Sequence, residues 1–131
     1  MNLEGLGDKK WRADDFRLPM YPRPAEFRQW RTDVRQKVAS ASKEPDEAFK
    51  WIRQTELAKT VEELHDCPDC FQPLDAKLAD AINDMLKNIK NDLVVRLSNF
   101  KAENALRGIR VRGRQLLWRV YEYFKVDEAS G

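Results

Sequence analysis

Residues 106–126 read LRGIRVRGRQLLWRVYEYFKV, five arginines woven through the densest run of aromatic and aliphatic residues in the chain. After Gly113, the residues Leu117, Val120, Tyr121 and Phe124 recur at the i, i+3, i+4, i+7 spacing of one helix face. Leu116 and Tyr123 widen that face until Arg114, Arg119, Glu122 and Lys125 are what is left for water. A helix apolar over so much of its circumference is buried on more than one side. The stretch is therefore expected to be the central core helix, or a core helix that also supplies an interface. It carries no nucleophile, general base or metal-ligand set, which points away from catalysis and toward packing and assembly.

Working outward, 131 residues suit one domain, or two small subdomains sharing a core. A domain of this size buries roughly two-thirds of its unfolded surface, enough to fold without disulfides or metals. With 42% hydrophobic and 35% charged residues, the chain reads as globular and strongly solvated. No run of about 20 apolar residues exists to span a bilayer. The leading stretch MNLEGLGDKKWRADDF has no apolar signal core. An intracellular, cytoplasmic protein with reduced thiols is the expectation.

The formal net charge of +2 conceals a segregation. Residues 9–37 hold nine Lys/Arg against four Asp/Glu, residues 40–92 hold seven against twelve, and residues 101–126 hold seven against two. Two readings remain open: three solvated helix faces of differing sign, or basic ends of one copy meeting the acidic middle of another.

Upstream, residues 1–23 are expected to form an extended arm, because Pro19, Pro22 and Pro24 alternate within LPMYPRP. Trp11, Phe16, Met20 and Tyr21 make it too apolar for a free tail, so it should lie on its own domain or on a neighbouring subunit. A first helix is predicted over Pro24–Ala41, with proline at its first position and Phe27, Trp30, Val34, Val38 and Ala41 in one stripe. A second is predicted from Pro45 to about Leu57, with Phe49 and Ile52 facing inward and Ala48 and Trp51 beside them. Thr60-Val61-Glu62-Glu63 reads as a capping box cut short by Pro68. Asp75 is read as the N-cap of a helical stretch from Ala76 to about Glu103, divided near Asn88–Asn91 into two packed helices. The connector GIRVRG, residues 108–113, is a short extended loop, and 127–131 are read as a polar tail or linker. The sum is an all-α protein: a compact bundle of about five to six helices over residues 24–126, preceded by the proline-rich arm.

His65-Asp66-Cys67-Pro68-Asp69-Cys70 is the one place where metal or redox chemistry is arguable. The Cys-x-x-Cys spacing is half of a tetrahedral zinc site, with His65 as a third ligand. No second pair follows, so three readings stay open: a loop with reduced thiols, a local disulfide, or a metal shared between subunits. No cofactor is called for.

The order of the helical motifs resembles the Gag polyprotein of copia-type LTR retrotransposons, divergent protist versions in particular. The residues that carry it are Phe27 and Trp30 in FRQWRTDVRQKV, then Asp75, Ala76, Ala81, Ile82 and Leu86 in LDAKLADAINDML, then Trp118, Tyr121 and Phe124 in GRQLLWRVYEYF. The likeness spans about residues 20–126. It implies an all-α capsid-like domain that assembles with itself into a shell around RNA.

The leading expectation is thus a structural, self-assembling protein, not an enzyme, whose partners are copies of itself and RNA, with no membrane and no small-molecule substrate. Trp11, Phe16, Tyr21, Trp51, Trp118, Tyr121 and Tyr123 are the candidate interface anchors, since Trp, Tyr and Arg dominate interface energetics. For each, the competing role is intramolecular core. The alternative function is a basic helical module for nucleic acid or protein, in which Arg107, Arg110, Arg112, Arg114 and Arg119 neutralise phosphates.

Overall fold

The computed structural model describes residues 16–130. A single turn of 3-10 helix at Pro24–Glu26 runs into α1, Phe27–Ser40. Then come α2, Pro45–Leu57, and two 3-10 turns, Val61–Leu64 and Asp69–Phe71. The remaining helices are α3, Gln72–Met85, α4, Asp92–Leu106, and α5, Gly113–Ser130. Among the described residues there is no strand, and the bundle is all-α.

Helix α5 is the hub. It touches α2, α3, α4 and the Val61–Leu64 turn. Leu116, Leu117, Val120, Tyr121 and Phe124 are all buried, so the stripe read from the sequence is doubly covered. On one side Phe27 of α1 stacks on Phe124 at 4.8 Å and meets the Tyr121 ring edge-on at 5.8 Å. Trp30 also meets Tyr121 edge-on, at 6.2 Å. Each large apolar side chain removed from water in this way contributes about 1.5–3 kcal/mol. Helices α1 and α2 form a hairpin, tied on its rim by Arg35, whose Nε and Nη2 donate to both oxygens of Glu56 at 2.5 and 3.1 Å.

The arm from Phe16 to Arg23 lies on its own domain. Tyr21 packs on Phe124 at 5.4 Å between ring centres, Trp30 Nε1 donates to the Pro19 carbonyl at 3.2 Å, and Pro22 is buried. The Asn91 amide donates to the Tyr21 hydroxyl at 3.0 Å, while its Oδ1 caps α4 by accepting the Val94 N–H at 3.2 Å.

The expected break near Asn88–Asn91 is present, between α3 and α4. Two boundaries differ from expectation. Helix α3 begins at Gln72, not Ala76, so Asp75 lies inside its first turn and is not its N-cap. Buried Phe71, 5.0 Å from the Trp51 ring, anchors that start upstream, and Pro73 is tolerated in a first turn whose N–H groups lack helical acceptors. Helix α5 also runs on to Ser130, through the stretch expected to be a polar tail.

Candidate functional site

Of the residues singled out from sequence, Trp51, Asp75, Arg112 and Arg114 meet at the N-terminal end of α5, where the chain enters from the connector 109–112. The first N–H groups of a helix have no partner within it. Here the Asp75 carboxylate supplies them. Its Oδ2 accepts from Gly113 N at 2.7 Å and its Oδ1 from Arg114 N at 3.1 Å, and the residue is fully buried. A negative charge at this end also complements the helix dipole. Gly113 makes the approach feasible. A Cβ there would overlap the Asp75 carbonyl oxygen and stand 2.9 Å from Ala79 N. Helices α3 and α5 touch backbone to backbone at this point.

Arg112 of the connector and Arg114 in the first turn of α5 turn inward. Arg114, only 3% exposed, donates to the Trp51 carbonyl at 2.9 Å, to Gln54 Oε1 at 2.7 Å and to the Asp66 carbonyl at 3.0 Å. Its guanidinium lies over the Trp51 ring at 4.8 Å. Burial lowers its pKa, and the Asp75 charge acts in the opposite sense. Arg112 Nε donates to the His65 carbonyl at 3.0 Å, and Arg119 covers the Phe100 ring at 4.2 Å. Buried Gln115, which nothing in its sequence context marked, locks the same corner. Its Oε1 accepts the Arg112 N–H at 2.9 Å and its Nε2 donates to the Val61 carbonyl at 3.1 Å.

This corrects the reading in which all five arginines neutralise phosphates. Arg112 and Arg114 satisfy backbone carbonyls of their own chain, and Arg119 is engaged by an aromatic ring. Arg107 and Arg110 remain exposed, Arg107 with one N–H on Asn104 Oδ1 at 3.2 Å. The interface anchors need a similar correction. Trp51 and Tyr121 are 4% and 2% exposed and belong to the core. Trp118 is half-buried, and its indole N–H donates to the Ala58 carbonyl at 2.9 Å. Phe16, Tyr21 and Tyr123 pack partly buried against the same core. Trp11 lies outside the described residues.

The Cys-x-x-Cys segment sits beside this corner, because Arg112 and Arg114 hold the carbonyls of His65 and Asp66 immediately before it. Both thiols are free, Cys67 half-buried and Cys70 exposed. Burial first, then the Asp75 charge, pushes the Cys67 thiol up, which is the opposite of nucleophile activation. Among the described residues no group of three His, Cys, Asp or Glu side chains is placed to hold a metal, so Cys67, Cys70 and His65 do not form a ligand set within one chain. Nor, among the described residues, is any helix long and apolar enough to cross a membrane.

The surface holds shallow grooves. One of about 340 Å³ runs between the arm and α3, its lining including Arg17, Leu18, Met20, Tyr21, Asp84 and Met85. The arrangement at Asp75, Gly113 and Arg114 binds parts of one chain together, whereas the large side chains that reach water lie elsewhere, at Met20, Leu57, Val95 and Leu106. Comparison with models of protein families, with curated proteins and with solved structures finds no match.

Proposed function

We propose that this chain is a non-catalytic structural domain that associates with copies of itself, of the Gag capsid type its helix order resembles, and that its oligomers enclose RNA. The observation that carries the reading is the outward side of α4. That helix buries Leu93 and Leu97 against the bundle, yet Val95 and Leu106 remain 58% and 90% exposed on its opposite side. A helix polar on one face and apolar on the other is accounted for by one core. Apolar residues on both faces imply a second surface to cover. The segregation of basic and acidic segments supports the same reading, since unlike surfaces of two copies attract.

The test is particle mass by light scattering across protein concentration and ionic strength. Mass should rise with concentration and fall as salt is added. A species that stays monomeric at high concentration in every salt would end the proposal.

A second reading, direct RNA binding, is favoured by Arg107 and Arg110, which stand exposed together on the connector between α4 and α5. Each arginine that neutralises a phosphate of single-stranded RNA adds roughly 0.7 to the salt slope of affinity, so replacing both by alanine should lower that slope by about 1.4. An unchanged slope would remove the connector as the RNA-binding segment.

A further inference from the structure

We infer that α4 is the contact through which two copies meet, packed antiparallel on its equivalent across a two-fold axis; this rests on the self-association just proposed and names its surface. At 100° per residue, Val95, Asn99, Ala102 and Leu106 fall within about 60° of one line along the helix. All four are exposed, and the line lies diametrically across from buried Leu93, Leu97 and Asn104. Their spacing of four, three and four residues is that of a two-helix seam, with Val95 and Ala102 at one class of core position and Asn99 and Leu106 at the other. No charged residue interrupts the seam.

The flanks decide the orientation. Arg96 and Glu103 stand on the same edge, seven residues apart, both exposed, and neither is ion-paired within the described residues of its own chain. In an antiparallel pair, edges of the same kind meet. Arg96 then lies beside Glu103 of the second copy, and the two-fold repeats the pair. The same register sets Val95 against Leu106 and Asn99 against Ala102, a large residue facing a medium one and a polar one facing the smallest. On the other edge Ser98 and Ala105 are small, so the helices can approach closely. A parallel pair would set Arg96 and Glu103 beside Asn91 and Ser98 and match no charges.

A helix of 15 residues is about 22 Å long, so this contact is small beside the roughly 800 Å² per partner of a standard stable interface. The expected affinity is correspondingly weak, about 10–100 µM. Weak contacts of this kind become firm when each subunit makes several at once.

The experiment is sedimentation equilibrium of the full chain from about 5 to 500 µM, a range that brackets such an affinity. Far-UV circular dichroism confirms the fold of each variant. Leu106→Glu, at a site already in water, should weaken the dimer at least about tenfold. Arg96→Glu and Glu103→Arg should each weaken it about three- to tenfold, and the double variant R96E/E103R should return to within about twofold of the parent. Association that ignores Leu106→Glu places the contact on another face, overturning this inference while self-association stands. Association abolished by Leu106→Glu but indifferent to the charge reversals, or not rescued by the double variant, overturns the antiparallel pairing. A parent that stays monomeric throughout removes both the inference and the reading beneath it.

Discussion

Gly113 and Tyr121 are buried residues of α5 whose replacement should act in opposite directions. Any side chain at Gly113 meets backbone, which cannot swing aside as a flexible tip can. Gly113→Ala is expected to cost about 1–3 kcal/mol or more in urea unfolding, by forcing α3 and α5 apart. Asp75→Ala should cost about 2–5 kcal/mol by stranding two buried N–H groups, and Asp75→Asn less, because one acceptor remains. If Gly113→Ala matched the parent's midpoint, the close approach of the two helices would be refuted. Tyr121 presents the opposite case. Its hydroxyl is buried with no hydrogen-bond partner among the described residues, and burial raises its pKa far above the ordinary value. The folded chain thus keeps a proton that the unfolded chain releases near pH 10. The stability linked to that proton is fully present below pH 10 and is lost as pH rises beyond it. Tyr121→Phe should raise stability at pH 7 by about 1 kcal/mol and flatten the alkaline decline relative to the parent. Urea midpoints of both proteins at pH 7 and above 10 check this, and a lower midpoint at pH 7 would mean that the hydroxyl is bonded.

Individual helices owe their ends to signals of different range. Helix α4 closes with Gly108 at φ +71°, where Ile109 N–H reaches the Asn104 carbonyl at 2.9 Å and Gly108 N–H the Ala105 carbonyl at 3.0 Å. Gly108→Ala should cost about 1 kcal/mol despite open space around the position, because the cost is conformational. An unchanged thermal midpoint would contradict this. Such stop and start signals are local, which is why they are legible in the sequence. Pro24 and Pro45 open the first two helical segments where expected, and the Asn-rich stretch 88–91 separates α3 from α4. At the Thr60 box Glu63 accepts the Thr60 and Lys59 N–H groups at 2.7 and 2.8 Å, while the Thr60 hydroxyl donates to the same carboxylate at 3.1 Å. Asp75 is not legible in this way, because its acceptor role is exercised 38 residues downstream, at the start of another helix. Arg112 and Arg114 escape for the same reason, their partners being backbone carbonyls around residues 51–66 that leave no trace in side-chain pattern. The exposure of Val95 and Leu106 on α4 is equally hidden, since an apolar residue carries no mark of which side of its helix will face water.

At the scale of the whole molecule, all helices share one core cluster, from Phe27 in α1 to Phe124 in α5. Unfolding should therefore be a single transition, with far-UV circular dichroism and the fluorescence of Trp30, Trp51 and Trp118 superimposing. Separated transitions would mean that the α1–α2 hairpin holds together alone. The placement of α5 as hub has a consequence for biosynthesis. Phe27, Trp30 and Val34 are made early, yet the rings that cover the first two arrive nearly a hundred residues later, at Tyr121 and Phe124. Until α5 has left the ribosome and found Asp75, the nascent chain carries an unsheltered aromatic face. Chaperone binding to this aromatic face during translation should accordingly peak just before α5 emerges and fall once it docks.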